Sequence, residues 1–266
     1  MPQPPPFTDL HCHLLPGIDD GAGDWDEALA MARMAVEDGI TTIIATPHQL
    51  GAYAGNRGSA VRQRTAQFRE ALDRLALPLR VLPGADVRIE PEMVRRLRSG
   101  EVLTLADRRR HVLLELPHDL FIPLDGLLAQ LHGVGVVGIL SHPERNLGIL
   151  RQPEVLARLV EAGCLLQVTA GSLVGRFGPE IRKFAHWMVG QGLIHFVATD
   201  AHGLRVRRPQ LSRAFECVAE LAGRPAAVAL CCDNPAAVAE GRRVAAEPAV
   251  PQRAGWSGWF RRRRAG

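Results

Sequence analysis

Histidine and carboxylate side chains recur along this chain at positions where they could share metal ions: His11, His13, Asp20, His48, Asp86, Glu115, His142, Asp200 and His202. Five imidazoles and four carboxylates offer only nitrogen and oxygen donors, a set that suits Mn, Fe or Zn better than thiolate-seeking metals. His11 and His13 stand two apart, so on a strand both project from one face while Cys12 points the other way. Asp200 and His202 repeat that spacing far along the chain. A lone pair of this kind is commonly incidental, and Asp20 alone would read as a turn residue in Asp19-Asp20-Gly21; it is the nine together that point to a centre of two or three divalent ions. Three ions would bring about six positive charges against four from the carboxylates, so the centre would attract a phosphate dianion and ionise a water for in-line attack on phosphorus.

Phosphoryl chemistry also calls for cations that grip two oxygens at once, as a planar guanidinium does. Arg145, in His142-Pro143-Glu144-Arg145-Asn146, is the first candidate and Arg208, in Arg205-Val206-Arg207-Arg208-Pro209, the second. The plain alternative for Arg145 is an ion pair with Glu144 or another surface carboxylate. A cysteine-based phosphatase is excluded, because none of Cys12, Cys164, Cys217, Cys231 and Cys232 is followed six positions later by arginine. Nor is there a GxxxxGK[ST] loop to cradle a nucleotide.

Residues so dispersed need a fold that gathers them. Apolar, strand-like runs over 8–13, 41–46, 80–84, 111–116, 136–141, 165–169 and 194–199 alternate with helical patterns over 26–38, 59–75, 91–98, 124–132, 153–162 and 179–190, with a last helix from Pro209. Strict alternation of nearly continuous apolar strands with helices implies an α/β fold, a parallel sheet covered by helices and, at this length, closed into a TIM-like barrel. Catalytic groups of such barrels come from the C-terminal ends of the strands. His48, Glu115, His142 and Asp200 each close one of these runs. The segment Gly171-Ser172-Leu173-Val174-Gly175-Arg176-Phe177-Gly178 is expected to form a flexible rim over the mouth or an ordinary connection.

At 266 residues and 47% hydrophobic the chain can bury one large core. Its net charge of +4 resides in Arg261, Arg262, Arg263 and Arg264; without them 28 basic residues face 28 acidic ones. A neutral body with eight Phe and one Tyr argues against nucleic acid as a partner. No export signal or membrane span is evident, and an odd cysteine count without a CxxC motif fits a reducing cytoplasm. We expect a phosphoesterase domain over 8–240, preceded by a short extension (1–7) and followed by a loosely ordered tail (241–266). Trp256, Trp259 and Phe260, followed by the four arginines, could touch an anionic membrane and hold the protein at its inner face; a solvated tail is the simpler alternative.

The chain resembles the PHP-type phosphoesterases and, within them, the CpsB/CapC family of bacterial metal-dependent protein-tyrosine phosphatases. The resemblance rests on Asp9-Leu10-His11-Cys12-His13-Leu14-Leu15-Pro16-Gly17-Ile18-Asp19-Asp20-Gly21, Gly39-Ile40-Thr41-Thr42-Ile43-Ile44-Ala45-Thr46-Pro47-His48, Ser141-His142-Pro143-Glu144-Arg145-Asn146, Ser172-Leu173-Val174-Gly175-Arg176-Phe177-Gly178, Lys183-Phe184-Ala185 and Thr199-Asp200-Ala201-His202. It implies a distorted TIM-like (β/α)7 barrel around a manganese-dependent trinuclear centre. His11, His13 and Asp200 would hold one ion, Asp20, His48 and His202 a second, and Glu115 and His142 a third. Residue 86 would bridge, and Asp86 stands where the family carries Glu. The implied substrate is phosphotyrosine on the autophosphorylated tail of a bacterial tyrosine kinase that controls capsule or exopolysaccharide export. Other expectations from the same donors are a small-molecule phosphatase of the histidinol-phosphate type, a metal-dependent nuclease, or a barrel kept only for binding partners.

Overall fold

The structure is a computed structural model and describes residues 5–245. The aromatic and arginine cluster of the expected membrane contact lies outside the described residues. No helix among the described residues is long and apolar enough to cross a membrane.

The strands are β1 (Phe7–Cys12), β2 (Ile40–Ala45), β3 (His48–Gln49), β4 (Arg80–Pro83), β5 (Asp86–Arg88), β6 (His111–Glu115), β7 (Val137–Ser141), β8 (Leu165–Thr169) and β9 (Phe196–Ala198). Every pairing between them is parallel, as the buried, β-branched and leucine-rich runs require. Helices return the chain between them, notably α1 (Trp25–Glu37), α2 (Gly58–Arg74), α3 (Met93–Ser99), α4 (Asp125–Gly133), α5 (Leu147–Arg151), α6 (Val155–Glu161), α7 (Ala170–Leu173), α8 (Pro179–Gly190) and α9 (Ser212–Ala222). Local chemistry explains their starts. Asp24 caps α1 by accepting from the Glu27 amide, Asn146 caps α5 through the Ile149 amide, and Pro179 opens α8 with φ already helical.

The expected single closed barrel is corrected: the ladders form two parallel sheets, ordered β1-β2-β4 and β3-β5-β6-β7-β8-β9. Two short strands, β3 and β5, lie beyond the expected runs over 41–46 and 80–84. Pro47 has no N–H to continue β2 into β3, and Gly84 separates β4 from β5. Only glycine fits there, since a Cβ at Gly84 would lie 2.7 Å from the Ile44 side chain. The strands still share an interior. Leu10, Ile44, Leu82, Leu113, Ile139, Leu165 and Phe196, from seven strands, pack with Leu105 and Val238 in one apolar cluster. The larger cluster fills the space between strands and helices.

One buried polar group sits far from the carboxylate end of its strand. His111 opens β6, and neither ring nitrogen meets a protein partner. Burial and then the adjacent Arg110 push its pKa down to about 4. The unfolded ring titrates at about 6.5, so between these values the unfolded chain binds the extra proton and stability falls as pH falls, by on the order of 3 kcal/mol. His111→Leu should remove that window. Its melting temperature relative to the unsubstituted protein should rise by about 3–5 °C between pH 7 and pH 4.5, checked by calorimetry across pH.

Candidate metal centre

The site starts where the first and last strands meet. The Asp200 amide donates to the His11 carbonyl at 2.7 Å and the His13 amide to the Ala201 carbonyl at 2.9 Å, around a parallel bridge between Cys12 and Ala201. Deeper in, Asp9 accepts from the Thr199 amide and hydroxyl and from the His11 amide. This lays His11 and His13 beside Asp200 and His202. His11 Nε2 is 3.2 Å and His13 Nε2 3.5 Å from the same Asp200 oxygen.

The other donors arrive from successive strand ends. Asp86 Oδ2, on β5, lies 3.5 Å from His11, 3.6 Å from His48 and 4.0 Å from His142. His48 Nδ1 is 3.7 Å from Glu115 at the end of β6. Asp20 Oδ1 sits 3.4 Å from both His48 Nε2 and His202 Nε2. His142 and Asp200 both adopt positive φ, 34° and 50°, a backbone state that non-glycine residues hold only under constraint and that is common at functional sites.

All nine expected residues therefore come together, in four overlapping groups able to hold an ion: His13, Asp20, His48 and His202; His11, His142 and Asp200; His11, His13 and Asp86; and His48, Asp86 and Glu115. Membership differs from the expected partition. His142 faces His11 and Asp200 rather than Glu115, and Glu115 faces His48 and Asp86.

The surroundings fit cations. His11 Nδ1 meets the Gln167 side-chain oxygen at 2.9 Å, His13 Nδ1 meets Asp19 at 2.7 Å, and His202 Nδ1 donates to the Asp200 carbonyl at 2.9 Å. Each partner is an acceptor, so each ring carries its proton on Nδ1 and turns the Nε2 lone pair inward. The His11 and His13 Nε2 atoms end up 3.2 Å apart. Two facing lone pairs repel unless a positive charge lies between them, a metal ion or, in its place, a proton on His11. Both Asp86 oxygens and His202 Nε2 are likewise buried without a hydrogen-bond partner. Separations of 3.2–4.0 Å are those of donors sharing an ion at about 2.1 Å.

The electrostatics tell the same story of unbalanced negative charge. Burial opposes charging of His11, but Asp200 and Asp86 outweigh it and hold the ring up at about 9. His48 reaches about 9 for the same reason, against burial and through Asp20, Asp86 and Glu115. Burial and then the Asp86 carboxylate raise Glu115 to about 7, whereas burial and His202 lower His13 to about 4. His142 is held well below its usual value by burial and Arg145.

Arg145 and Arg207 border this cluster. Both guanidiniums bond the same Asp200 oxygen, Arg207 at 3.3 Å, and Arg207 also lies 3.7 Å from Asp20. Arg145 stacks over Phe177 at 4.8 Å and keeps a buried Nε with no partner. The second candidate, Arg208, stands apart from the donors: it is exposed and donates to the Arg205 carbonyl at 3.2 Å, while its neighbour Arg207 points inward. The loop carries no periodicity from which the inward arginine could be told. Sequence reasoning also missed Asp19 and Gln167, which orient imidazoles, and Glu144, which is buried and accepts from Ser172 Oγ at 2.6 Å and the Thr169 amide at 3.0 Å. Glu144 thus ties the Arg145 turn to α7, the helix that forms the start of the expected rim. Only the adjacency of Asp19 to Asp20 and of Glu144 to Arg145 hinted at these roles.

Gly21 controls the Asp20 turn. A Cβ there would stand 2.1 Å from the His13 carbonyl oxygen, which no side-chain rotation relieves. Gly21→Ala should push Asp20 away from His48 and His202. The fold should persist by circular dichroism while metal affinity, followed by titration with Mn2+, falls at least about tenfold.

Known proteins resemble this chain in sequence and fold. The sequence pattern of the family described as "Capsular polysaccharide synthesis, CpsB/CapC" matches residues 7–240. The chain is 42% identical over 203 residues to tyrosine-protein phosphatase YwqE of Bacillus subtilis, covering 76% of this chain and 79% of that protein. It is 31% identical over 210 residues to the putative tyrosine-protein phosphatase CapC of Staphylococcus aureus, covering 79% and 82%. A structure from the crystallography of YwqE and of CpsB from Streptococcus pneumoniae, described as metal-dependent tyrosine phosphatases, superposes with a TM-score of 0.83 at 35% identity, covering 92% of this chain and 99% of the other. With a match that spans nearly every described strand and helix, and nine donors gathered at the strand ends, the chain belongs to the CpsB/CapC family.

Proposed function

We propose that this protein is a metal-dependent tyrosine phosphatase that removes phosphate from phosphotyrosine on a protein, its partner being the phosphorylated tail of a bacterial tyrosine kinase that governs capsule or exopolysaccharide synthesis. The observation that carries the reading is a cluster of nine nitrogen and oxygen donors bordered by two guanidiniums, one with an unused buried N–H. Manganese is the metal the family resemblance implies, and the nitrogen and oxygen donors suit Fe or Zn as well; an odd cysteine count without a CxxC motif fits the cytoplasm. Divalent cations bound there would supply Lewis acidity toward a phosphoryl oxygen and make water ionisable near neutral pH. His11, His142 and Asp200 would form one group, His13, Asp20, His48 and His202 another, and His48 and Glu115 a third, with Asp86 shared at the centre.

The chain's own residues do the rest. Gln167, Asp19 and the Asp200 carbonyl hold three imidazoles in the tautomer that presents Nε2. Arg145 and Arg207 hold the phosphoryl oxygens as charge builds on them, Arg145 through the Nε and the guanidinium face that Phe177 supports. Tyr53, stacked on His48 at 5.3 Å, and Phe177 offer apolar faces for a phenyl ester. The leaving phenolate has a conjugate-acid pKa of about 10, low enough to depart without a strong general acid.

The test is a parallel assay of a phosphotyrosine peptide and histidinol phosphate with and without chelator. Turnover of the peptide should vanish in EDTA and return with Mn2+. Selective hydrolysis of histidinol phosphate would overturn the reading, and peptide turnover indifferent to EDTA would remove the metal from it.

A further inference from the structure

Beside the mouth, arginines with no role at the metal-facing donors converge on a second concavity. It is a narrow cleft between the 170–178 rim and the 204–210 loop, walled by Arg176, Phe177, Arg207, Arg208 and Arg213. Its inner wall is continuous with the catalytic mouth. Arg207 reaches Asp200 at 3.3 Å, and Phe177 lies against Arg145 at 4.8 Å. The outer wall is positively charged and uncompensated. Arg176 donates to the Val206 carbonyl at 3.3 Å and Arg208 to the Arg205 carbonyl at 3.2 Å, both main-chain groups. No carboxylate among the described residues pairs with Arg176, Arg208 or Arg213, whereas Arg145 and Arg207 each have Asp200.

Three exposed guanidiniums facing one cleft repel one another, and an anion seated between them relieves that repulsion. Across the 205–207 ridge the charge is mixed, because the groove on that side carries Asp24, Asp26 and Glu27 beside Arg205 and Arg207. A peptide crossing the mouth therefore meets arginines without paired carboxylates on the Arg176–Arg208–Arg213 side and a mixed surface on the other.

Resting on the phosphotyrosine reading, we propose that the Arg176–Arg208–Arg213 cleft is a specificity subsite for an anionic group, a carboxylate or a second phosphate, carried by residues that flank the scissile phosphotyrosine on one side. The group binds and does not react. It lowers KM for anionic peptides and orients them across the mouth.

The experiment compares kcat/KM of the full, Mn2+-loaded chain for phosphotyrosine peptides that differ only in their flanks: glutamine on both sides, three glutamates before, three glutamates after, and a second phosphotyrosine before or after. One glutamate-flanked peptide should exceed the glutamine peptide by about tenfold, mostly in KM, with the advantage shrinking in high salt. The doubly phosphorylated peptides separate the two sources of the anion. An advantage for them beyond that of glutamate assigns the cleft to phosphate, and parity with glutamate assigns it to carboxylates. Arg176→Gln and Arg213→Gln should each reduce the preference ratio about threefold and Arg213→Glu should invert it, while Arg158→Gln, on the exposed face of α6, should leave the ratio intact. Equal kcat/KM for all flanks, or a preference that survives the arginine substitutions, would overturn the subsite while leaving the phosphatase reading standing. A chain that hydrolyses other phosphate esters but none of these peptides would overturn the reading itself and the subsite with it.

Discussion

Asp86→Asn is expected to lower phosphotyrosine turnover by about a thousandfold, roughly 4 kcal/mol in the barrier, and to reduce the metal retained after gel filtration. Asp86 Oδ2 is the atom around which His11, His48 and His142 are disposed, and both of its oxygens are buried without a hydrogen-bond partner. An amide offers one neutral oxygen where the carboxylate offers two charged ones, so the shared anion is lost while shape is kept. The chelated variant should still fold by circular dichroism but melt lower than its unsubstituted counterpart, because Asp86 is a buried partner of the charged His11 and His48 rings. Asp86→Glu, the residue expected here from the family resemblance, should keep the metal and remain within about tenfold in turnover. Full metal content and near-normal turnover in Asp86→Asn, read by elemental analysis and steady-state kinetics, would sink the central role.

Arg145→Ala should lower kcat by about 10²–10³-fold with metal content unchanged. The guanidinium sits over Phe177 and bonds Asp200, yet its Nε is buried and uncommitted, a donor aimed at a group that arrives with substrate. Arg145→Lys should recover less than a tenth of the loss, since an ammonium cannot reproduce the planar fork or the stack on the ring. Arg207→Ala should raise KM as well as lower kcat, because Arg207 is more exposed and lines the entrance. A purely structural Arg145 would instead show its effect in melting temperature, with kcat within a few-fold of normal.

Much of this arrangement was legible because its signals were local. Parallel strands that are buried throughout announce themselves as apolar runs, and Pro179 with Gly190 frames α8 at the residues expected. Seven of the nine donors could be named because they close such a run or repeat the spacing of two that puts side chains on one face; Asp20 and Asp86 do neither and were read only as members of the set. What escaped depends on contacts between distant segments. Whether ladders close into a ring is decided by interstrand geometry, and β3 and β5, beyond Pro47 and Gly84, are too short for periodicity to register. Sharing of donors between groups is a matter of ångströms, so Glu115 and His142, paired by the family resemblance, turn to different neighbours in this fold. Arg207 and Arg208 differ only in which way an irregular loop points each side chain. The helix α7, read as part of a flexible rim, is pinned by Ser172 to a carboxylate whose burial no local pattern reveals.

The meeting of β1 with the segment after β9 also bears on how the protein comes into being. Asp9 clasps Thr199, and the donors of His11 and His13 need those of Asp200 and His202, so most of the chain must be synthesised before the centre can exist. An unfinished polypeptide is therefore catalytically silent. Once both halves are present, an ion bridging them acts as a reversible cross-link around a very long loop, withdrawing entropy from the denatured ensemble as a disulfide would.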